Sequence, residues 1–148
     1  EESPGLSVGV ISFYTAQVDA IKEAMQREGL TTLTDDGTLV IADAWRSTVN
    51  SQGETCERLR VGTVDAFQGK EFDIVFLAAT RSNRIQPADE KMKRRKFGHL
   101  LLDNRLCVAM SRQKRLLIVV GDAAMATNHV PGLQEFLKLC CTQHGTIT

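Results

Sequence analysis

The run Ile74-Val75-Phe76-Leu77-Ala78-Ala79 has no polar face. Successive side chains of a strand point to opposite sides of a sheet, so this run needs apolar cover on both. A sheet with one face in water does not supply it; a central strand of a parallel sheet, with helices on either side, does. The flanking segments agree. Val8-Gly9-Val10-Ile11-Ser12-Phe13 reads as a short strand. It leads at once into Thr15 to Met25, where Val18, Ile21 and Met25 recur at helical spacing and Gly29 stands at the stop. Arg58 to Val64 alternates and then runs apolar, a second strand. Asn104 to Lys114 reads as a helix with Leu106, Met110 and Cys107 inward, followed by the strand Leu116-Leu117-Ile118-Val119-Val120. Leu133, Phe136, Leu137 and Cys140 mark an amphipathic closing helix. Strands alternating with helices predict an α/β domain with a mainly parallel sheet.

Two stretches resist this reading. In residues 30–57, Asp35-Asp36-Gly37 is a turn, Leu39 to Ala44 is strand or short helix, and Asn50-Ser51-Gln52-Gly53 is loop chemistry. Trp45, the one tryptophan, is assigned there to local packing. From Arg81 the chain turns polar and then basic, with Lys91, Lys93, Arg94, Arg95 and Lys96 close together. Such a run is either an arm that tracks phosphates or a solvated loop.

At 148 residues the chain fits one domain and can bury a real core. Its 43% apolar and 24% charged residues are those of a soluble globular protein, and a net charge of zero counts slightly against a histone-like or purely electrostatic binder. No segment approaches the ~20 apolar residues of a membrane span. Four cysteines show no zinc spacing, and adjacent Cys140 and Cys141 suit a disulfide poorly; a reducing, cytoplasmic setting is expected. Cys107 and Cys140 are expected to be small buried apolar groups. The chain opens on Glu1 rather than Met, so it is read as part of something longer.

In an open parallel sheet, ligands bind at the carboxyl ends of the strands. Three polar segments are assigned there: Phe13 to Gln17, Asp65 to Glu71, and Ser111 to Arg115. Singly each has a plain structural reading. Tyr14 can cap the core, Gln68-Gly69 can be a turn, Glu71 a surface carboxylate and Arg112 a solvated helix arginine.

Their order carries more. Gly62-Thr63-Val64-Asp65-Ala66-Phe67-Gln68-Gly69-Lys70-Glu71-Phe72-Asp73-Ile74-Val75 resembles motif V of superfamily 1 helicases. Asn104 to Arg112 resembles their motif VI, and Ile11 to Gln17 their motif IV. The style is that of the branch containing the nonsense-mediated-decay helicase and its bacterial relatives, and the resemblance covers residues 8 to about 122. It implies a three-layer RecA-like domain of the P-loop NTPase type, with residues 1–148 forming the second, C-terminal such domain of an ATP-dependent DNA or RNA helicase. By that resemblance Arg112 is the catalytic arginine finger, its planar guanidinium suited to charge spread over transferring phosphoryl oxygens. Tyr14, Gln17, Gln68, Gly69 and Glu71 would line the nucleotide. Thr63 would touch the nucleic-acid backbone, with Arg81, Ser82 and Asn83 as further contacts. Val18 stands where some relatives carry a second phosphate-contacting Arg, and Cys107 where motif VI usually has Asn.

The chain contains no G-x-x-x-x-G-K-[ST] loop, nor an Asp-Glu pair at a strand end. ATP and Mg2+ would therefore be held mainly by a first RecA-like domain, which becomes an expected partner beside a single nucleic-acid strand. The chain alone is expected not to hydrolyse ATP. The alternative is a degenerate, non-catalytic RecA-like module that binds nucleic acid or protein.

Overall fold

The computed structural model describes residues 5–141. Strand β1 (Val8–Ser12) feeds helix α1 (Thr15–Arg27), as the spacing predicts. The chain then forms two short antiparallel hairpins, β2 (Thr31–Leu33) with β3 (Leu39–Ile41) and β4 (Ser47–Val49) with β5 (Thr55–Glu57). A 3-10 turn at Asp43–Trp45 joins them, so Leu39 to Ala44 is strand and then turn. Gly37 and Gly53 take φ of 80° and 79° at the two hairpin turns, backbone that favours glycine. Strand β6 (Leu59–Thr63), a 3-10 turn (Val64–Phe67) and strand β7 (Phe72–Ala79) follow. Helix α2 (Glu90–Phe97), helix α3 (Asp103–Ala109), strand β8 (Gln113–Gly121) and helix α4 (Pro131–Leu139) complete the order.

The main sheet has the order β6-β1-β7-β8 and every pairing in it is parallel. The fully apolar run lies in β7, flanked by a strand on each side. Its pleat divides two layers. Ile11, Val75, Leu77 and Ala79 face a core closed by Leu106 and Ala109 of α3, Leu133 of α4, and Phe67, Phe97 and Leu100. Val8, Val10 and Phe76 point the other way, to an apolar cavity shared with Met25 of α1 and with Leu30, Trp45 and Leu59. Trp45 thus has the packing role expected of it, with the Arg58 guanidinium 4.1 Å from its ring centroid. Helices on both faces of a parallel sheet make this the three-layer, RecA-like α/β domain.

Three expectations change. The predicted helix to Lys114 ends at Ala109, because Gln113 already pairs with Phe72 as the first residue of β8. Cys107 is exposed on α3, not inward. The basic stretch is not a loop but helix α2, started by the Asp89 carboxylate, which accepts from the Met92 N–H at 2.7 Å, and anchored by buried Phe97.

Candidate functional site

The segment after β6 does not remain at the carboxyl edge. Between Thr63 and Phe72 it turns back across β1 to reach the start of β7. Two glycines leave it room. A Cβ on Gly9 would meet the Phe67 ring at 2.7 Å, and one on Gly62 would meet Ala66 at 3.0 Å. Phe67 and Phe72 close over this gap, their ring centroids 5.4 Å apart. Arg60 pins the turn from below, donating to the Ala66 carbonyl at 3.1 Å and pairing with Glu57 at 2.9 Å.

The return of the chain sets Gln68, Gly69 and Glu71 at the amino edge of the sheet. Arg112 comes to the same edge from the other side, since the Phe72 N–H donates to its carbonyl at 2.9 Å. A second tie joins the two motif segments: Arg105 on α3 pairs with Asp65 of the 3-10 turn at 2.7 Å. Gly69 has φ of 71° and nothing within 4 Å of where a Cβ would stand, so its backbone is open to a ligand. Beside it is a cavity of about 560 Å³ whose wall includes Gly69, Lys70, Glu71, Asp73, Lys114 and Arg115. Lys114 and Arg115 precede the apolar part of β8, and the hairpin tip Asn50 to Gln52 closes the opposite side.

Electrostatics order this cavity. Asp73 accepts from the Ser7 N–H at 2.9 Å and from the Ser7 hydroxyl at 2.8 Å, and pairs with Arg115 at 3.1 Å. The Ser7 backbone bond, then the Ser7 hydroxyl and Arg115, hold its carboxyl below the usual carboxylate range against the opposing effect of burial. Glu57 is engaged by Arg60 and, at 3.7 Å, by Lys70. The Arg112 guanidinium folds back on the end of helix α3: Nε donates to the Val108 carbonyl at 3.0 Å and a terminal nitrogen to the Ser111 hydroxyl at 2.8 Å.

The expected nucleotide set is not brought together whole. Tyr14 and Gln17 follow β1, whose last residue Ser12 pairs with Thr63 and Ala78, so they stand at the carboxyl edge. Four residue steps of β1, roughly 13 Å, separate that edge from the level of Val8. The physical reason is the backward turn over Gly9 and Gly62, which carries residues 68–71 away from the end of their own strand.

At the carboxyl edge the structure gathers the expected nucleic-acid residues instead. Thr63 ends β6, and Arg81, Ser82 and Asn83 follow β7. Tyr14 joins them: its hydroxyl accepts from the His99 N–H at 3.2 Å, its ring lies 5.0 Å from the His99 ring, and the Arg81 guanidinium sits 5.7 Å from its centroid. Ser82 donates to Asp122 at 2.6 Å, and this bond leads the effects that lower the Asp122 carboxyl. A cavity of about 720 Å³ is lined here by Ser82, Asn83, Arg84, Lys96 and Asp122 among others. Lys70 lies within motif V and Lys114 and Arg115 just after motif VI, so all three were open to recognition; Asn50, Arg84 and Lys96 arrive through the tertiary fold. Among the described residues no cluster of His, Cys, Asp or Glu could hold a metal ion, and none of their helices is long and apolar enough to cross a membrane.

A parallel α/β domain with polar segments at both edges of its sheet is the class these observations define, and comparison with known proteins makes it a helicase-type domain. Residues 1–124 match the family described as "AAA domain", and the chain belongs to that family. It is 34% identical over 119 residues to the DNA polymerase alpha-associated DNA helicase A of Saccharomyces cerevisiae, covering 80% of this chain and 12% of that protein. It is 30% identical over 128 residues to an uncharacterized ATP-dependent helicase of Caenorhabditis elegans, covering 86% of this chain and 5% of the other. A helicase required for RNAi-mediated heterochromatin assembly in Schizosaccharomyces pombe is 34% identical over 73 residues, 49% of this chain and 6% of that one. The chain thus spans about an eighth or less of the length of these relatives.

Proposed function

We propose that this chain is the second RecA-like domain of a superfamily 1, ATP-dependent DNA or RNA helicase. Its amino edge would meet the nucleotide held by a first domain, and its carboxyl edge would hold the strand. One observation carries this reading: the Phe72–Arg112 backbone bond sets Gln68, Gly69, Glu71 and Arg112 at one edge, beside an open glycine and a polar cavity. The donors suit the phosphate end of a nucleotide. Lys70 and Lys114 supply cations there, and Gly69 leaves its backbone uncovered. Mg2+ is assigned to the first domain. Tyr14 and Gln17 are reassigned to the strand edge, with Thr63, Arg81, Ser82 and Asn83.

Arg112 is the residue on which the proposal turns. An arginine finger acts on charge that develops in the transition state, so its loss appears in turnover, by ~10³–10⁵ in well-studied cases. Lysine keeps the charge but not the fork that meets two oxygens. In a chain carrying both motor domains, Arg112→Lys is expected to cut ATP turnover at saturating ATP while leaving ATP affinity in place and lowering the melting temperature by no more than a few degrees. Turnover within about two-fold of the parent would leave the non-catalytic module as the better reading.

A further inference from the structure

We propose that helix α2 is a fixed arm that contacts the phosphates of a single nucleic-acid strand lying along the carboxyl edge of the sheet. This rests on the strand-binding half of the reading above and gives that half a surface the motifs do not include.

The charge of the chain is zero overall, yet five of its basic residues fall within six positions, Lys91 to Lys96. Folding sorts them. Lys93 turns back to pair with Glu90. Lys96 lies half-buried, its ammonium 5.4 Å from the Phe97 ring centroid. Lys91, Arg94 and Arg95 are exposed and make no ion pair with another described residue. They stand at i, i+3 and i+4, so they share one face of the helix. Three unpaired cations on one face repel each other, and a polyanion relieves that repulsion.

Three bonds fasten the end of the helix to the site. Arg81 donates to the Arg95 carbonyl at 3.0 Å, and Asn83 donates to the Lys96 carbonyl at 2.9 Å. The His99 N–H donates to the Tyr14 hydroxyl at 3.2 Å. Phe97 and Leu100 are buried beneath. A solvated basic loop has no such anchorage. The same bonds redefine Arg81 and Asn83, which spend donors on holding α2 and so act as positioning residues. Arg84 and Lys96 continue the positive surface into the cavity at the ends of β7 and β8, where Asp122 is the one acid among its lining residues. That carboxylate is occupied by Ser82 and the Ala124 N–H.

The test is binding of fluorescent oligo-dT and oligo-U to the chain across a salt series. Each phosphate that is no longer neutralised should lower the slope of log affinity against log salt by about 0.7 for a single strand. The variant Lys91→Gln/Arg94→Gln/Arg95→Gln is expected to lower that slope by about 2 and to weaken binding at least ten-fold at low salt, on the order expected when three phosphates go unneutralised. Arg94→Lys/Arg95→Lys, which keeps the charges, should retain the slope, and Lys22→Gln/Arg27→Gln on α1 should change neither quantity. An unchanged slope in the triple variant, or an equal loss in the α1 control, overturns the arm. Displacement of the strand by poly-glutamate at equal charge concentration also overturns it, since the surface would then accept any polyanion. The two readings fail separately. Loss of strand binding in the α2 variant, with Arg112→Lys turnover unchanged, keeps the arm and removes the motor. The reverse pattern keeps the nucleotide edge and removes the arm.

Discussion

Phe72 donates its backbone N–H to the carbonyl of Arg112 at 2.9 Å, at the point where β7 and β8 begin. This single bond brings together two segments forty residues apart in the chain. It places the peptide after Glu71 against the arginine assigned to catalysis. Because Phe72 opens β7 and Arg112 directly precedes Gln113, the β8 residue paired with Phe72, the backbone spacing between Glu71 and Arg112 is set by the sheet and not by loops.

The first prediction concerns the face this bond creates. Gln68 and Glu71 are exposed, so Gln68→Ala and Glu71→Gln should alter stability by less than about 0.5 kcal/mol. In the two-domain protein each should weaken ATP binding about five-fold, the effect of one hydrogen bond of ~1 kcal/mol. A titration with a fluorescent ATP analogue measures this. Unaltered affinity in both variants would remove the amino edge as the nucleotide face.

The second prediction concerns how the segment reaches that edge. A Cβ on Gly9 would stand 2.7 Å from Cε1 of Phe67 and 3.1 Å from Cδ2 of Phe72. Gly9→Ala should therefore destabilise the chain by about 1–3 kcal/mol through overpacking. Phe67→Leu costs stability alone but removes the atoms Gly9→Ala strikes, so the double variant should be more stable than the sum of the two losses. Urea unfolding of the four proteins gives the coupling. Strict additivity would mean the turn is not held by this contact.

The third prediction follows from Asp73. Its carboxyl is depressed chiefly by the Ser7 bonds, so the folded state holds the ionised form. The sign is that of a lowered carboxylate: the stabilisation is complete above its unfolded value, near pH 4, and is lost as pH falls through the lower folded value. Arg115 is 61% exposed, and its pair with Asp73 is screened, so the Ser7 bonds carry most of the effect. Ser7→Ala removes the hydroxyl bond but keeps the larger backbone N–H bond, so it should flatten only part of the fall in stability between about pH 5 and pH 2, and Arg115→Gln should change it less. Unfolding free energies measured across that range decide the matter; equal flattening in both variants contradicts it.

Much of the fold is legible in the chain because it rests on burial. Ile74 to Ala79 reads as a covered strand because it has no polar face, and Val18, Ile21 and Met25 recur along one side of a helix. The hairpins of residues 30–57 escape such reading because their strands are three residues long and mostly half-exposed, so no alternation develops. Helix α2 escapes it too. One buried residue, Phe97, holds it, and the rest of its anchorage comes from Arg81, Asn83 and Tyr14, distant in sequence. The motifs grouped Gln68, Glu71 and Arg112 but did not reveal the edge they occupy. That depends on Gly9 and Gly62 leaving space for a chain reversal, which spacing alone does not express. Asp89, a capping residue followed by Glu90, was the readable sign of α2.

The last prediction separates two roles open to Arg112. Its guanidinium holds the Val108 carbonyl at 3.0 Å and the Ser111 hydroxyl at 2.8 Å, which is also how a side chain caps the end of a helix. The magnitudes differ enough to decide. A cap of this kind contributes about 1 kcal/mol, a few degrees of melting temperature in a domain of this size. A finger contributes ~10³-fold or more in rate. To reach a phosphate the guanidinium must first leave Val108 and Ser111, so these bonds oppose catalysis slightly in the ground state. Ser111→Ala removes one of them. With both motor domains present it should leave turnover at or above the parent value while lowering the melt by a degree or two, at the low end of one neutral hydrogen bond. Arg112→Ala should lower the melt by a few degrees and turnover by about three orders of magnitude. The measurement is turnover at saturating ATP beside a thermal melt for each variant. If Ser111→Ala and Arg112→Ala lose rate in proportion to their melts, Arg112 is a helix cap, and the catalytic arginine must be sought elsewhere.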